Sequence, residues 1–325
     1  MVKVLKSNRL LCVFIIIFLC IFISNPIIYM KSCLKGLNIW FFNVLPALFP
    51  FFVATKLLIL LDIGNMPIMD KITKKLFKTN NAGKIFCLSL LSGYPVGAKL
   101  VCDAHKNGQI DSISAKKMLS FCSVSGPMFI VGTVGVAIFH SAKIGFVLLV
   151  CHIISAVVNG IVFRNMFGKI PQAKPIASPT NKNNNILADS MIDSINSILL
   201  VGGYIVFAYI LIDLFNNLNI IPLFATVLEK LPIFSGKYDS IVAFFNGILE
   251  MTRGIIDTKS SGVPLNVSIP IVSFLLGFGG FSIFLQSTTF TKELAIKKPT
   301  YLVQKFCQGL WACIISIVAV LVLSI

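Results

Sequence analysis

Ser92-Gly93-Tyr94-Pro95-Val96-Gly97-Ala98-Lys99 follows directly on the apolar run 85–91. Two glycines and a proline break any helix that enters this stretch, and a lysine closes it. The rest of the chain is apolar from end to end. Of its 325 residues, 56% are hydrophobic and only 12% charged, against about 25% charged in a soluble domain. The mean hydropathy is +0.91. In hydrocarbon a broken backbone leaves amides and carbonyls without partners, so such a stretch survives at membrane depth only where protein or water covers it. Transporters and channels place binding sites at segments of this kind. The chain therefore reads as an all-α polytopic membrane protein, and a soluble enzyme with one anchor is excluded.

The net charge of +16 does not indicate nucleic acid, because the lysines fall between apolar spans, as membrane topology requires. The nine cysteines form no CxxC pair, and most sit in apolar runs as small hydrophobes. His105, His140 and His152 share no ligand spacing, so neither metal nor cofactor is expected. No Ser/His/Asp triad, P-loop or dinucleotide fingerprint is present, so no enzyme is expected.

Seven segments have the length of a full crossing, near ~20 residues: 10–30, 39–61, 121–139, 144–167, 195–218, 267–289 and 301–324. The first follows Lys3, Lys6 and Arg9 and lacks a small-x-small cleavage site, so it reads as an uncleaved signal-anchor. Two shorter stretches, 85–98 and 241–249, are broken by glycine and read as re-entrant hairpins. A third, 220–234, carries Pro222 and Pro232 and reads as interfacial. With the N-terminus in the cytoplasm, most basic residues gather on the inner side, Lys305 among them, while Lys31 and Lys35 fall in an outer loop. The C-terminus then lies on the outer face of the cell membrane.

The two halves echo each other. At a shift of about 153 residues, Phe42-Asn43-Val44-Leu45 falls on Ile195-Asn196-Ser197-Ile198, and Ser120-Phe121 on Ser273-Phe274. At about 154, Ser92-Gly93 falls on Asn246-Gly247 and Lys99 on Arg253. Three crossings per half is an odd number, so the second copy enters from the opposite side, as an inverted-topology repeat with a site at mid-membrane. The organisation is an N-terminal helix and loop (1–38), a first repeat (39–170), a polar linker (171–190) and a second repeat (191–325).

Four motifs carry a family resemblance: SGYPVGAK at 92–99, SGPMF at 125–129, NGILEMTRG at 246–254 and FGGFSIFLQ at 278–286. In these the chain resembles the sporulation integral membrane protein YlbJ family, of the nucleoside-recognition (Gate) domain group, over roughly residues 40–320. The resemblance implies a polytopic membrane protein needed for spore formation, with no established substrate. One departure is Phe284, where the family pattern has a histidine; this argues against a proton relay there.

The candidate substrate-binding residues lie on these motifs. Ser92, Gly93, Tyr94, Pro95 and Gly97 expose backbone to a ligand or, through small-xxx-small spacing, let helices approach. Lys99 and Arg253 meet an anionic solute or a carboxylate, or snorkel to the interface. Glu250, three residues before Arg253, is the acidic residue of the second hairpin, poised to pair with that arginine or to bind solute. Ser123, Ser125 and Gly126 interrupt one span, and Gly279, Gly280, Ser282 and Gln286 another; Asn246 and Gly247 complete the set. Asp213 is expected to be solvated at a span end. The function expected is a transporter or gated pore for a small polar or anionic solute, a nucleoside-like one included. The alternative is a membrane scaffold for spore formation that moves nothing. Expected partners are the lipid bilayer, such a solute, and a second copy or other sporulation membrane proteins.

Overall fold

The computed structural model describes residues 2–61, 64, 66–168, 185–294 and 296–324. Residues 169–184, most of the expected linker, lie outside this set, as do the side chains of Lys3, Lys6 and Arg9. Among the described residues every regular element is a helix. Helix α1 (Val2–Ser24) stops at Ser24-Asn25, and Pro26 opens α2 (Pro26–Ile39) at a position where its missing N–H costs nothing. A π-helical turn, Trp40–Val44, joins α2 to α3 (Leu45–Leu60), so the two run on as one apolar rod, Pro26–Leu60. The short amphipathic α4 (Pro67–Phe77) leads to a hairpin of α5 (Gly83–Ser92) and α6 (Val96–Lys106). Next comes a broken helix, α7 (Ser112–Cys122) and a π-type helix Phe129–Ile138, and then the long α8 (Ala142–Phe163).

The same order recurs downstream. The long α9 (Ile186–Asn217) is followed by the short amphipathic α10 (Ile220–Glu229) and a hairpin of α11 (Tyr238–Leu249) and α12 (Met251–Ser260). A helix broken at Gly279 follows, α13 (Leu265–Phe278) and α14 (Gly280–Thr291), then the long α15 (Lys298–Leu323).

Among the described residues five stretches are long and apolar enough to cross a bilayer: Pro26–Leu60, Ala142–Phe163, Ile186–Asn217, Leu265–Thr291 and Lys298–Leu323. They differ in position. In Leu265–Thr291 83% of the most apolar stretch is buried inside the protein, against 28% in Pro26–Leu60 and in Lys298–Leu323. The broken α13–α14 is thus the centre, and the other two turn a face outward. That outer face carries Leu37, Phe41, Leu321 and Val322, a surface suited to lipid and costly in water. Where helices cross inside, glycine meets glycine: Gly135 packs on Gly145, and Gly277 on Gly309. Small residues permit this close approach when lipid gives no hydrophobic drive to association.

Several expectations change. Lys31 and Lys35 sit on a helix, because the Ser24-Asn25-Pro26 break ends the first apolar run early and a new helix begins there. The interruption expected in 121–139 falls at Ser123–Ser125, and the apolar helix beyond it, Phe129–Ile138, is too short for the full crossing expected there. Lys305 lies in no loop; it is on α15, 1% exposed, inside the core.

Candidate functional site

Each hairpin sets its tip against the broken helix of its own half. At the first tip Gly93 has φ +76°, and a Cβ there would overlap the backbone nitrogen of Gly126. Only glycine serves in that conformation. Gly97 is pressed against the carbonyl of Cys122, and the Ser92 hydroxyl donates to the Leu88 carbonyl. Pro95, joined to Tyr94 by a cis peptide bond, opens α6. At the second tip Gly247 packs on Gly254 across the hairpin, and Gly280, at φ +76°, lies against the carbonyl of Gly247 and the amide of Met251. The glycines at 93, 97, 126, 247 and 280 therefore make the seams that let backbone meet backbone.

Both tips reach one cavity. Its walls include Tyr94 and Ser125 from the first half, Glu250, Thr252 and Gln286 from the second, and Val201 and Ile205 of α9. Its free volume is about 30 Å³. No lysine or arginine is among its lining residues.

Glu250 is 2% exposed. It does not sit on a helix; it caps one, and a carboxylate oxygen accepts from the Arg253 amide at 2.7 Å. The expected Glu250–Arg253 side-chain pair is not formed, because the extended backbone at Glu250 (φ −141°, ψ 116°) aims the carboxylate at the helix N-terminus, where orphan amides want an acceptor. Arg253 turns away instead. Its Nε donates to both oxygens of Asp257, at 3.0 and 2.8 Å, its Nη1 lies 3.6 Å from Asp213, and its guanidinium lies 5.3 Å from the Tyr209 ring centre. Asp213 also accepts from Ser32 at 2.5 Å, so it is not solvated as expected; α2 and α12 cover it. Asn246 donates to Asp257 at 2.7 Å and accepts from Asn216 at 3.2 Å.

Lys99 lies elsewhere, in the wall of a second cavity with Lys56, Asp103 and Asp193. Lys56 and Asp193 form an ion pair at 2.5 Å. Lys99/Asp103 and Arg253/Asp257 thus repeat one arrangement, a cation and an aspartate four residues apart on the second helix of each hairpin. Each arrangement faces an aspartate of α9. Asp193 and Asp213 are twenty residues apart on that continuous helix, about 30 Å at 1.5 Å per residue, the thickness of a hydrocarbon core. Val201 and Ile205, which line the first cavity, fall midway between them.

A buried charge at the junction escaped the sequence reading. The Lys305 ammonium donates to the Tyr94 hydroxyl, the Ser123 carbonyl and Gln308 Oε1, each at 2.6 Å, and all three acceptors are neutral. The Tyr94 hydroxyl in turn faces the carbonyls of Leu276 and Gly277, at 3.3 and 3.1 Å, just before the second break. The Ser123 hydroxyl bonds Tyr301 at 2.8 Å, and the Ser125 amide donates to His152 Nε2 at 2.9 Å. Gln286 Nε2 donates to the Ser282 hydroxyl at 3.2 Å, while Gln286 Oε1 has no partner. Lysine flanked by Leu302, Val303, Phe306 and Cys307 was the available signal for an intramembrane charge. Extending the Lys99/Arg253 match by four residues would have found Asp103 and Asp257.

The site is therefore a junction of two hairpin tips and two helix breaks, with one buried carboxylate and one buried ammonium joined to it. No family model matches the chain, and no solved structure matches it. Among curated proteins it is similar to the sporulation integral membrane protein YlbJ of Bacillus subtilis (strain 168), with 28% identity over 338 aligned positions, covering 95% of this chain and 82% of the relative. The similarity runs over nearly the whole chain and supports its resemblance to the sporulation integral membrane protein YlbJ family.

Proposed function

We propose that this protein moves a small polar solute across the membrane, or gates its passage, through the junction of the two hairpin tips, and that it does so during sporulation. The observation that carries this reading is the shared cavity: Tyr94 and Ser125 of one half face Glu250, Thr252 and Gln286 of the other. Broken helices at mid-depth, with backbone and polar side chains turned to a common space, are the arrangement transporters use for substrate. The recurring element order is read as an inverted repeat, with the N-terminus cytoplasmic and the C-terminus outside. No covalent chemistry is involved.

The size of the cavity limits the solute in this conformation. About 30 Å³ is far below the ~300–1,000 Å³ of sites that hold organic ligands. A nucleoside-sized solute requires the tips to move apart. Its charge set bears on the class as well: with Glu250 in its wall and no basic side chain, the cavity suits hydrogen-bond donors better than anions.

The tight glycine seams also suit a scaffold with no solute, and substitution separates the two. The chain is expressed in Bacillus subtilis lacking YlbJ, and heat-resistant spores are counted. Glu250→Gln and Ser125→Ala should each abolish rescue at unchanged protein level. Full rescue by both would overturn the transport reading in favour of the scaffold.

A further inference from the structure

The two helix breaks differ in charge. At the first, the Ser123 carbonyl and the Tyr94 hydroxyl accept from the ammonium of Lys305. That break carries its own tethered cation. At the second, the cavity wall offers the Glu250 carboxylate and Gln286, which is 1% exposed and whose Oε1 has no partner. Arg253, the nearest basic residue in sequence, is committed to Asp257 and Asp213.

A buried carboxylate is costly unless a cation answers it, and a buried amide oxygen left unpaired calls for an explanation. The Glu250 carboxylate has only neutral donors of its own helix, the Arg253 amide and Thr252, and with the free Gln286 oxygen beside it in the wall the pair suits a positive charge that prefers oxygen. Small hard cations take oxygen ligands. The free volume, about 30 Å³, exceeds the ~10–15 Å³ that one water needs. It holds an ion with a water and excludes an organic solute.

We propose that a sodium ion binds between Glu250 and Gln286, in the space also walled by Ser125 and Thr252. As the coupling ion this sodium rests on the transport reading; as a bound ion it does not.

The test uses the full-length protein in detergent. Thermal unfolding is followed in sodium chloride and in choline chloride at equal ionic strength, and bound ²²Na⁺ is measured by scintillation proximity. Sodium should raise the unfolding temperature where choline does not. Glu250→Gln and Gln286→Met should both lose that shift and the bound ²²Na⁺. Gln286→Met keeps the Glu250 cap of α12, so it secures a folded variant. Lys56→Ala, at the second cavity, should keep both signals. Absence of a sodium-specific shift and of bound ²²Na⁺ in the wild type overturns the site, as does undiminished binding in either variant. Lost spore rescue by Glu250→Gln with no sodium bound to the wild type would refute the ion while leaving the transport reading in place.

Discussion

Gly93 and Gly126 touch, yet an alanine at each should have very different effects. Gly93 has φ +76° and ψ −166°, in a region that is essentially glycine-only, and forcing another residue into it costs about 1–3 kcal/mol. Its Cβ would also overlap the Gly126 nitrogen, with the Gly126 Cα at 2.8 Å. Backbone cannot swing aside as a side chain can, and overpacking of this sort adds about 1–3 kcal/mol. The sum for Gly93→Ala is about 2–6 kcal/mol. Gly126 has no positive φ, and its Cβ would stand 3.4–3.5 Å from Ser92, Gly93 and Leu91, ordinary contact. Gly126→Ala should change stability by less than about 1 kcal/mol, and losing unfolded-state entropy favours it. A thiol-reactive dye reads the difference, because Cys102, Cys122 and Cys151 are buried and become reactive on unfolding, while Cys12 and Cys20 set the baseline. At roughly 2 °C per kcal/mol, Gly93→Ala should melt at least about 2 °C below Gly126→Ala. Equal melting of the two would refute the seam between hairpin tip and helix break.

Arg253→Lys should cost about 1–3 kcal/mol, since one ammonium cannot reproduce the two-oxygen contact to Asp257 and also reach Asp213; Lys56→Ala breaks a partly exposed pair and should cost less than about 1 kcal/mol in the same dye assay. Lys305→Met leaves the Ser123 carbonyl and Gln308 Oε1 without this donor, at about 1–3 kcal/mol each, while the Tyr94 hydroxyl keeps its bonds to the Leu276 and Gly277 carbonyls; the change also removes a buried charge that costs about 2.5–3.5 kcal/mol at membrane depth. The terms nearly cancel, so protein level and melting should hold within a few degrees while spore rescue is lost; normal rescue would show that Lys305 is dispensable ballast.

The parts of the fold written in local chemistry were legible. SGYPVGAK forces a break, and a hairpin tip stands there; Gly279-Gly280 forces another, and α13 ends at it. The element order of the second half follows from the same signals. What stayed hidden depends on direction rather than position. Glu250 and Arg253 are spaced to pair on a helix, but helix α12 starts only after Glu250, so the carboxylate caps and the arginine faces the other way. Lys305 lies near enough to the start of its span to pass for a loop residue, and only the packing of α15 on Ser123 and Tyr94 draws it inward. Of the candidate residues, Tyr94, Ser125, Glu250 and Gln286 reach the cavity; most of the glycines serve the seams around it.

Depth divides the charges of this protein into two kinds. Asp193 and Asp213 stand about 30 Å apart along α9, with Lys56 and Arg253 as their partners, so each ion cluster lies near one end of that helix. Charge there costs little and is compatible with anchoring alone. Glu250 and Lys305 are different. Each is almost wholly buried and forms no ion pair among the described residues, and both reach the junction at mid-helix, one directly and one through Tyr94. Hydrocarbon tolerates an unpaired charge only where protein supplies other partners, and an isolated one at the centre of a helix costs about 2.5–3.5 kcal/mol on insertion. The fold instead surrounds each with neutral partners, the N-terminal amide of α12 for Glu250 and three oxygen acceptors for Lys305. Glu250 stands in the wall of the cavity that both hairpin tips reach, and Lys305 bonds Tyr94 of that same wall, which is the reason to look for the solute and its ion there.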